Sequence, residues 1–423
     1  MLNLVKRLFR RQRTTYLEAM MSAGMPFDAY PGHAGGPIAG TAAAIVPAHN
    51  EEAVIEATIL SLQRAFEAKD IFVFADGCTD DTVHVARRHL PAGNVIDHRQ
   101  NVGKSRGLQA MLAAFVYPRR FEFVTIMDAD STVEPNFLEE SLRVLRRPEV
   151  ACTVGRVNTA SYPHHIYGVY RAYMYWVWQS VVKRIQSFLH ASTIASGTST
   201  TWKTGVLRQL EMDHAMTTED FNLTFQVHRR RLGKIKYVSS AVVWSEDPHT
   251  FRAFRKQGYR WSRAWWESVR RYRVGLKWLR FERGAWVGFN AVDIFTALLV
   301  FGMYGFWFRL FILPILLWHP IDLNFEFYFP STRRAILVQM AFQYAALILP
   351  FLIVALITRQ YRIFTYLPVM LALSVVDLLI SLRALLSVLR HLYRTDARGG
   401  EASVWASPER MASRTPSARG RSP

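Results

Sequence analysis

The sequence predicts an α/β domain built on a parallel sheet, attached to a helical membrane region. Three observations carry that prediction. Between Thr41 and Pro148, short apolar runs alternate with stretches of helical length, the pattern of βαβ units. Past Trp286 the chain turns strongly apolar, and Ala335–Thr358 carries no charge at all. Lys and Arg gather beside Trp and Tyr next to apolar stretches, in Met1–Arg13, in Arg252–Arg283 and after Arg383. That mixture marks a membrane–water boundary.

The strand-like runs are Ala42–Val46, Ile71–Ala75, Asn94–Asp97 and Glu122–Met127. Helix-like stretches follow at Ala53–Ala68, Thr79–Leu90 and Ser105–Tyr117. A sheet of this kind is covered by helices on both faces and binds ligands beyond the carboxyl ends of its strands. Ile166–His190 is aromatic with interspersed Arg171, Lys183 and Arg184. It reads as a helix packed on the sheet or lying at the membrane interface.

The flanking segments complete a four-part organisation. Residues 1–40 hold Leu2, Val5, Leu8 and Phe9 at helical spacing among basic residues, then a Gly/Pro-rich linker from Tyr30. They predict an interfacial helix in preference to a solvated basic arm, with too short an apolar core for a signal peptide or a span. Residues 41–284 are expected to form the cytosolic α/β domain with its interfacial helices, and 285–390 about three spans. A helix needs about 20 apolar residues to cross a ~30 Å core. Ala335–Thr358 meets this outright; Trp286–Trp318 is interrupted by Asp293 and Arg309, and Phe364–Leu389 by Asp377 and Arg383. Those charges either pair and snorkel or line a polar path. The acidic loop His319–Pro330 is expected outside and Arg359 with Arg362 inside. Residues 391–423 read as a disordered basic tail. Three spans put that tail outside while its charge calls for the inside, so the number of spans stays open.

Composition narrows the function classes. The 423 residues suffice for a catalytic domain and a second region. Only Cys78 and Cys152 are present, which excludes a disulfide scaffold and, without CxxC or Cys/His clusters, a structural zinc site. The net charge of +19 would suit nucleic acid, an anionic membrane or phosphate-bearing substrates. No zinc finger, RNA-recognition signature or basic zipper is present, so membrane lipids are the expected partner and nucleic acid is not.

Polar motifs fall where the strands end. Pro47-Ala48-His49-Asn50-Glu51-Glu52 leaves the first strand and can wrap a nucleobase and ribose. Asp76 leaves the second, where it can bond a nucleoside; Thr79, Asp80 and Asp81 after it are helix caps. Asn101-Val102-Gly103-Lys104 supplies a turn and a cation. Asp128 and Asp130 follow a buried strand and point to the same side. Two such carboxylates repel unless a hard divalent cation, which can also touch a diphosphate, lies between them. Glu219 and Asp220 open a helical run, either as acids favoured by the helix dipole or with Asp220 as general base. Gln257, Gly258, Tyr259, Arg260 and Trp261 lie in the basic aromatic stretch, either as an interfacial anchor or with Arg260 on a diphosphate and Trp261 stacked on a sugar.

Taken in order, PAHNEE, DGCTDDT, NVGKSRG, DAD, SGTSTTWK, TED and QGYRW resemble the membrane-bound processive family 2 glycosyltransferases, the cellulose, chitin, hyaluronan and poly-N-acetylglucosamine synthases. The resemblance covers about Ala42 to Glu267. It implies a GT-A-type (Rossmann-like) nucleotide-sugar-binding domain that uses a UDP-sugar and Mg²⁺ or Mn²⁺. Ala48, His49, Glu51, Asp76 and Lys104 would contact the nucleotide; Asp128 would meet nucleotide and metal, and Asp130 the metal. Asp220, beside Glu219, would be the base; Gln257, Arg260 and Trp261 would close the site. Ser196, Gly197, Thr198 and Trp202, with Trp261, would border the acceptor. The expected activity is inverting sugar transfer to a growing polysaccharide or oligosaccharide at the cytoplasmic face of the inner membrane. A single transfer to a lipid or polyprenyl-phosphate acceptor is the nearest alternative, and a non-catalytic receptor or transporter the alternative of another class. Gly258 and Lys203 depart from the family pattern, where a longer polar residue and an Arg are common.

Overall fold

The computed structural model describes residues 40–161, 165–190, 192, 194–214, 216–272 and 366–391. The chain divides into two units, Met1–Asp28 with Phe289–Leu371, and Ala29–Gly288 with Ala372–Pro423. The architecture below is that of the second unit. The expected amphipathic N-terminal segment, the first two spans and the basic tail lie outside the described residues.

Eight strands form one sheet: β1 Ala42–Ala48, β2 Ile71–Asp76, β3 Val95–His98, β4 Phe123–Ile126, β5 Ser131–Val133, β6 Val150–Thr159, β7 Thr200–Lys203 and β8 Lys234–Ser245, in the order β3-β2-β1-β4-β7-β6-β8-β5. The longer helices among the described residues are α1 Ile55–Leu62, α2 Thr82–His89, α3 Lys104–Met111, α4 Phe137–Leu145, α5 Ile166–Val177, α6 Lys183–Phe188, α7 Glu219–Arg230, α8 Phe251–Tyr272 and α9 Leu367–His391, and a single helical turn, Thr204–Leu207, follows β7. α3 continues through a π turn, Leu112–Val116, and a second π turn, Trp178–Val182, joins α5 to α6.

All seven residues of β1 are buried, as a central strand covered on both faces requires. Alternate side chains serve opposite cores. Ala42, Ala44, Val46 and Ala48 meet Ile55, Ile59 and Leu62 of α1 in one core. Ala43 and Ile45 meet Leu108 and Met111 of α3 with Phe72, Phe74 and Trp202 in the other.

The sheet is mixed, where a parallel one was expected. β3, β2, β1 and β4 run parallel. β7 then joins β4 antiparallel, pairing Phe123 with Lys203 and Ile126 with Thr200. β6 is antiparallel to β7 but parallel to β8, and β5 closes the edge antiparallel to β8. The reversal brings the segment before β7, with Ser196–Thr198, back to the end of the sheet where β4 delivers Asp128 and Asp130.

In α9, the 19 residues Ala372–Arg390 are, by length and composition, long and apolar enough to cross a membrane. It is the one such helix among the described residues, and it falls on the third expected span.

Candidate active site

The first three motifs lock one another. The positive φ of Asn50, 55°, turns the chain sharply after β1. Its side-chain carbonyl accepts the Thr79 amide at 2.8 Å. The Glu52 amide donates to Asp80 at 3.1 Å, and the Asp81 amide donates back to Glu52 at 2.9 Å. Asp80 also accepts the Thr82 amide at 3.1 Å, from one position ahead of Asp81, the N-cap residue of α2, whose own side chain makes no capping bond. His49 Nδ1–H donates to the Asp76 carbonyl at 2.5 Å. Ala48 and Glu51 are buried.

Asp76 does not stand open to a nucleoside, as the sequence suggested. Its side chain is fully buried, and its two carboxylate oxygens accept the amides of Val102 at 2.7 Å and Gly103 at 2.8 Å. It fixes the turn that presents Lys104. Gly77 makes this possible: at φ 61° it packs so closely that a Cβ would lie 2.6 Å from the Asn101 nitrogen.

Lys104 is where three motifs converge. At the first turn of α3, its ammonium lies 2.6 Å from Asp128 Oδ1 and 2.8 Å from Glu219 Oε1. Burial opposes the ammonium's charge, but the Asp128 and Glu219 carboxylates outweigh it and hold Lys104 above the ordinary lysine range. Gly197 packs on the pair, and a Cβ there would stand 2.8 Å from both Lys104 Nζ and Glu219 Oε1.

Asp130 lies one buried residue beyond Asp128, across Ala129. Its Oδ1 accepts the Ser131 hydroxyl at 3.0 Å, and Ser131 Oγ is 2.7 Å from Thr198 Oγ1. The segment before β7 is thus tied to the paired aspartates. Ser196 is half-buried, with its Oγ 3.0 Å from Ser199 Oγ. Trp202 corrects an expectation: it is fully buried in the core and cannot border an acceptor, because period-2 alternation along β7 turns it to the sheet interior.

Among the described residues, no three His, Cys, Asp or Glu side chains converge as a metal cage. Asp128 and Asp130 still fit a hard divalent ion, since Mg²⁺ is commonly held by one or two carboxylates with phosphates and water completing the shell.

Asp220 stands in the first turn of α7 and accepts the Phe221 amide at 2.8 Å. Burial, then the neighbouring Glu219 carboxylate, push Asp220 above the ordinary carboxylate range; Thr218, Lys104 and the Phe221 amide oppose them. Lys183 is a residue that sequence reasoning passed over. It is buried at the start of α6 and donates to the Ile194 carbonyl at 3.1 Å. Burial lowers it to about 8, although the Asp220 charge acts the other way. A lysine inside an aromatic run was the available signal.

The QGYRW segment lies on α8. Gln257 and Trp261 meet Arg171 of α5, through a hydrogen bond of 3.1 Å from Arg171 Nη2 to Gln257 Oε1 and a guanidinium 4.6 Å from the Trp261 ring centre. Arg260 is exposed on another side of the helix. α8 is tied to the TED segment by Glu267, which accepts the Thr217 amide at 3.0 Å and Arg263 Nε–H at 2.6 Å. Gly258 is buried, and a Cβ there would sit 3.5 Å from Asp377 Oδ1 and 3.6 Å from Ile380 of α9. Close helix packing accounts for the missing longer side chain.

The loop after β8 was also passed over. The Glu246 amide donates to the Asp130 carbonyl at 3.3 Å, and the Asp247 amide to Ser161 Oγ at 3.0 Å. Burial pushes the Asp247 carboxyl up to about 7, against the Arg171 charge and the Thr159 hydroxyl.

The comparisons with known proteins agree with this geometry. The family model described as "Glycosyltransferase like family 2" matches residues 39–264, more than half of the chain. Glucomannan 4-beta-mannosyltransferase 2 of Arabidopsis thaliana is 29% identical over 161 residues, 34% of this chain and 28% of the relative. Hyaluronan synthase of Streptococcus pyogenes is 23% identical over 272 residues, 60% of this chain and 64% of the relative. The chain therefore spans under two thirds of either relative's length. A solved structure, the mannosyltransferase PcManGT of Pyrobaculum calidifontis in complex with GDP-Man and Mn²⁺, has a TM-score of 0.49 and 16% identity over 90% of this chain and 97% of its own. It is too distant to bear on the assignment. With a GT-A-like mixed α/β sheet, the ordered motifs and the family match in hand, the chain belongs to glycosyltransferase family 2.

Proposed function

We propose that the protein is an inverting hexosyltransferase that moves a sugar from a UDP-sugar to a growing polysaccharide or oligosaccharide at the cytoplasmic face of the inner membrane. The observation that carries this reading is the convergence on Lys104 of Asp128, the first of the paired aspartates, and Glu219 of the TED segment. Among the described residues, Glu219, Asp220, Asp128 and Asp130 give this end of the sheet four carboxylates, which outnumber the Lys104 and Lys183 ammoniums beside them. Such an excess of negative charge suits a cation-bound diphosphate.

Asp128 and Asp130 would hold Mg²⁺ or Mn²⁺. When bound, the ion offsets charge on the departing diphosphate. Asp220 accepts the proton of the acceptor hydroxyl as its oxygen bonds to the anomeric carbon; the bond from that carbon to the diphosphate oxygen breaks, and UDP leaves. A base held above the ordinary carboxylate range is better matched to that proton. His49 and Lys104 serve the nucleotide end. Ser196, Gly197 and Thr198 border the acceptor, and Gln257, Arg260 and Trp261 close the site. Asp76 and Glu51 act from behind by shaping the nucleotide loops.

The relatives named for glucomannan and hyaluronan synthesis favour a polymer as product. The apolar stretch of α9 favours a membrane location, with residues 41–284 cytosolic and 285–390 embedded in about three spans. Incubating the full chain in lipid nanodiscs with MnCl₂ and a panel of UDP- and GDP-sugars tests the reading. Nucleoside diphosphate should be released from one donor, and sizing of the product separates a polymer from a single transfer. Release from none of the donors would refute it.

A further inference from the structure

We propose that Arg171 is a positioning residue of this transfer, its guanidinium holding Gln257 and Trp261 of α8 in register with the Asp128–Asp130 site through the Asp247 loop. The inference rests on the transferase reading above. It begins with a charge where packing alone would not put one. Arg171 is 5% exposed, with its guanidinium 4.8 Å from the Phe254 ring centre and 4.6 Å from that of Trp261. Phe254, Gln257 and Trp261 recur at helical spacing on one face of α8. A guanidinium is planar, always charged and able to stack while donating in its own plane. It can therefore grip two rings and an amide at once, which a lysine ammonium cannot.

The other end of the linkage reaches the paired aspartates. Tyr175, one turn beyond Arg171 on α5, donates to Asp247 Oδ1 at 3.5 Å. Asp247 is buried, and its Oδ2 has no hydrogen-bond partner among the described residues. The Arg171 charge favours its ionised form, and the same charge also acts on Asp377 of α9. The adjacent Glu246 amide holds the Asp130 carbonyl at 3.3 Å. α5 is seated closely enough for this because of Gly168, where a Cβ would strike the Ser161 carbonyl oxygen. Ser161 in turn accepts the Asp247 amide at 3.0 Å.

A packing role alone fits poorly. Arg171 Nε–H is buried with no partner among the described residues, a cost that an apolar side chain of similar volume would not carry.

The test compares Arg171→Lys and Arg171→Met with the wild-type full chain in nanodiscs. UDP affinity with MnCl₂ should stay within about threefold in both, since neither nucleotide loop touches Arg171. Release of nucleoside diphosphate from the donor that turns over should fall about 100-fold, the cost of a misplacement of about 1 Å. Arg171→Lys should not rescue it, and amide exchange across residues 251–272 should accelerate while β1 and β4 stay protected. If Arg171→Met does not fold, Arg171→Lys alone carries the comparison. Full turnover in Arg171→Lys, unchanged exchange in α8, or loss of UDP binding in step with turnover would each overturn the role. A wild type that releases nucleotide from no donor sinks the transferase reading and this role together; active variants beside an active wild type sink only this role.

Discussion

The ammonium of Lys104 stands 2.6 Å from the carboxylate of Asp128. That contact joins the turn after β3 to the end of β4, and the same ammonium reaches Glu219 at 2.8 Å. Lys104→Met should therefore strand two carboxylates rather than simply delete a cation. Breaking a fully buried pair costs about 3–5 kcal/mol. Asp128 is 35% exposed, so a loss nearer 2 kcal/mol is expected. Urea unfolding would measure it, and UDP affinity with MnCl₂ should weaken in the same variant.

Asp220 gives a prediction in pH. Its raised pKa, caused by burial and by Glu219, means that the proton leaves at a higher pH than from an ordinary carboxyl. The acid limb of kcat should accordingly lie above the ordinary carboxylate range. Glu219→Gln removes one of the raising charges and should move that limb down. A limb that stays put in Glu219→Gln would disconnect it from Asp220.

Lys183 supplies a stability prediction with a defined sign. Its folded pKa is lowered from 10.5 to about 8 by burial. Between those values the unfolded chain binds more protons than the folded one, so its contribution to stability rises with pH through that window. Below about pH 8 the buried charge costs stability, at most about 3.5 kcal/mol from about 1.4 kcal/mol per pKa unit. Lys183→Met should raise the unfolding temperature at pH 7 and flatten its dependence between pH 8 and pH 10. Parallel curves for the two proteins would contradict this.

Gly258 tests the packing of α8 on α9. An added methyl meets Asp377 and Ile380 at ordinary contact distance, so Gly258→Ala should be nearly neutral. Gly258→Arg must push α9 aside and should cost about 1–3 kcal/mol. Thermal unfolding of both variants measures the contrast.

The nucleotide half of the domain was legible because its information is local. β1, β2 and β4 are largely apolar runs and β3 opens on Val95 and Ile96, each followed by polar turn residues, and their order gave the expected ligand edge. The other half was not. β7 sits between β4 and β6, and nothing in Thr200–Lys203 says that it pairs antiparallel with Phe123–Ile126, far earlier in the chain. Trp202 was misplaced for that reason. Asp76 was misread because its partners are backbone amides of a distant turn, which leave no trace in residue types. Arg171 and Asp247 look unremarkable in sequence and acquire meaning only when α5, α8 and the loop after β8 meet.

The central claim is that Asp220 performs chemistry beside a nucleotide site it does not build. The direct measurement is UDP affinity with MnCl₂ and nucleotide release, side by side, in Asp220→Asn. The account predicts affinity within about threefold of wild type with release lowered at least about 100-fold, the scale of a lost general base. Release that persists in Asp220→Asn, or that falls only as far as affinity does, would contradict it.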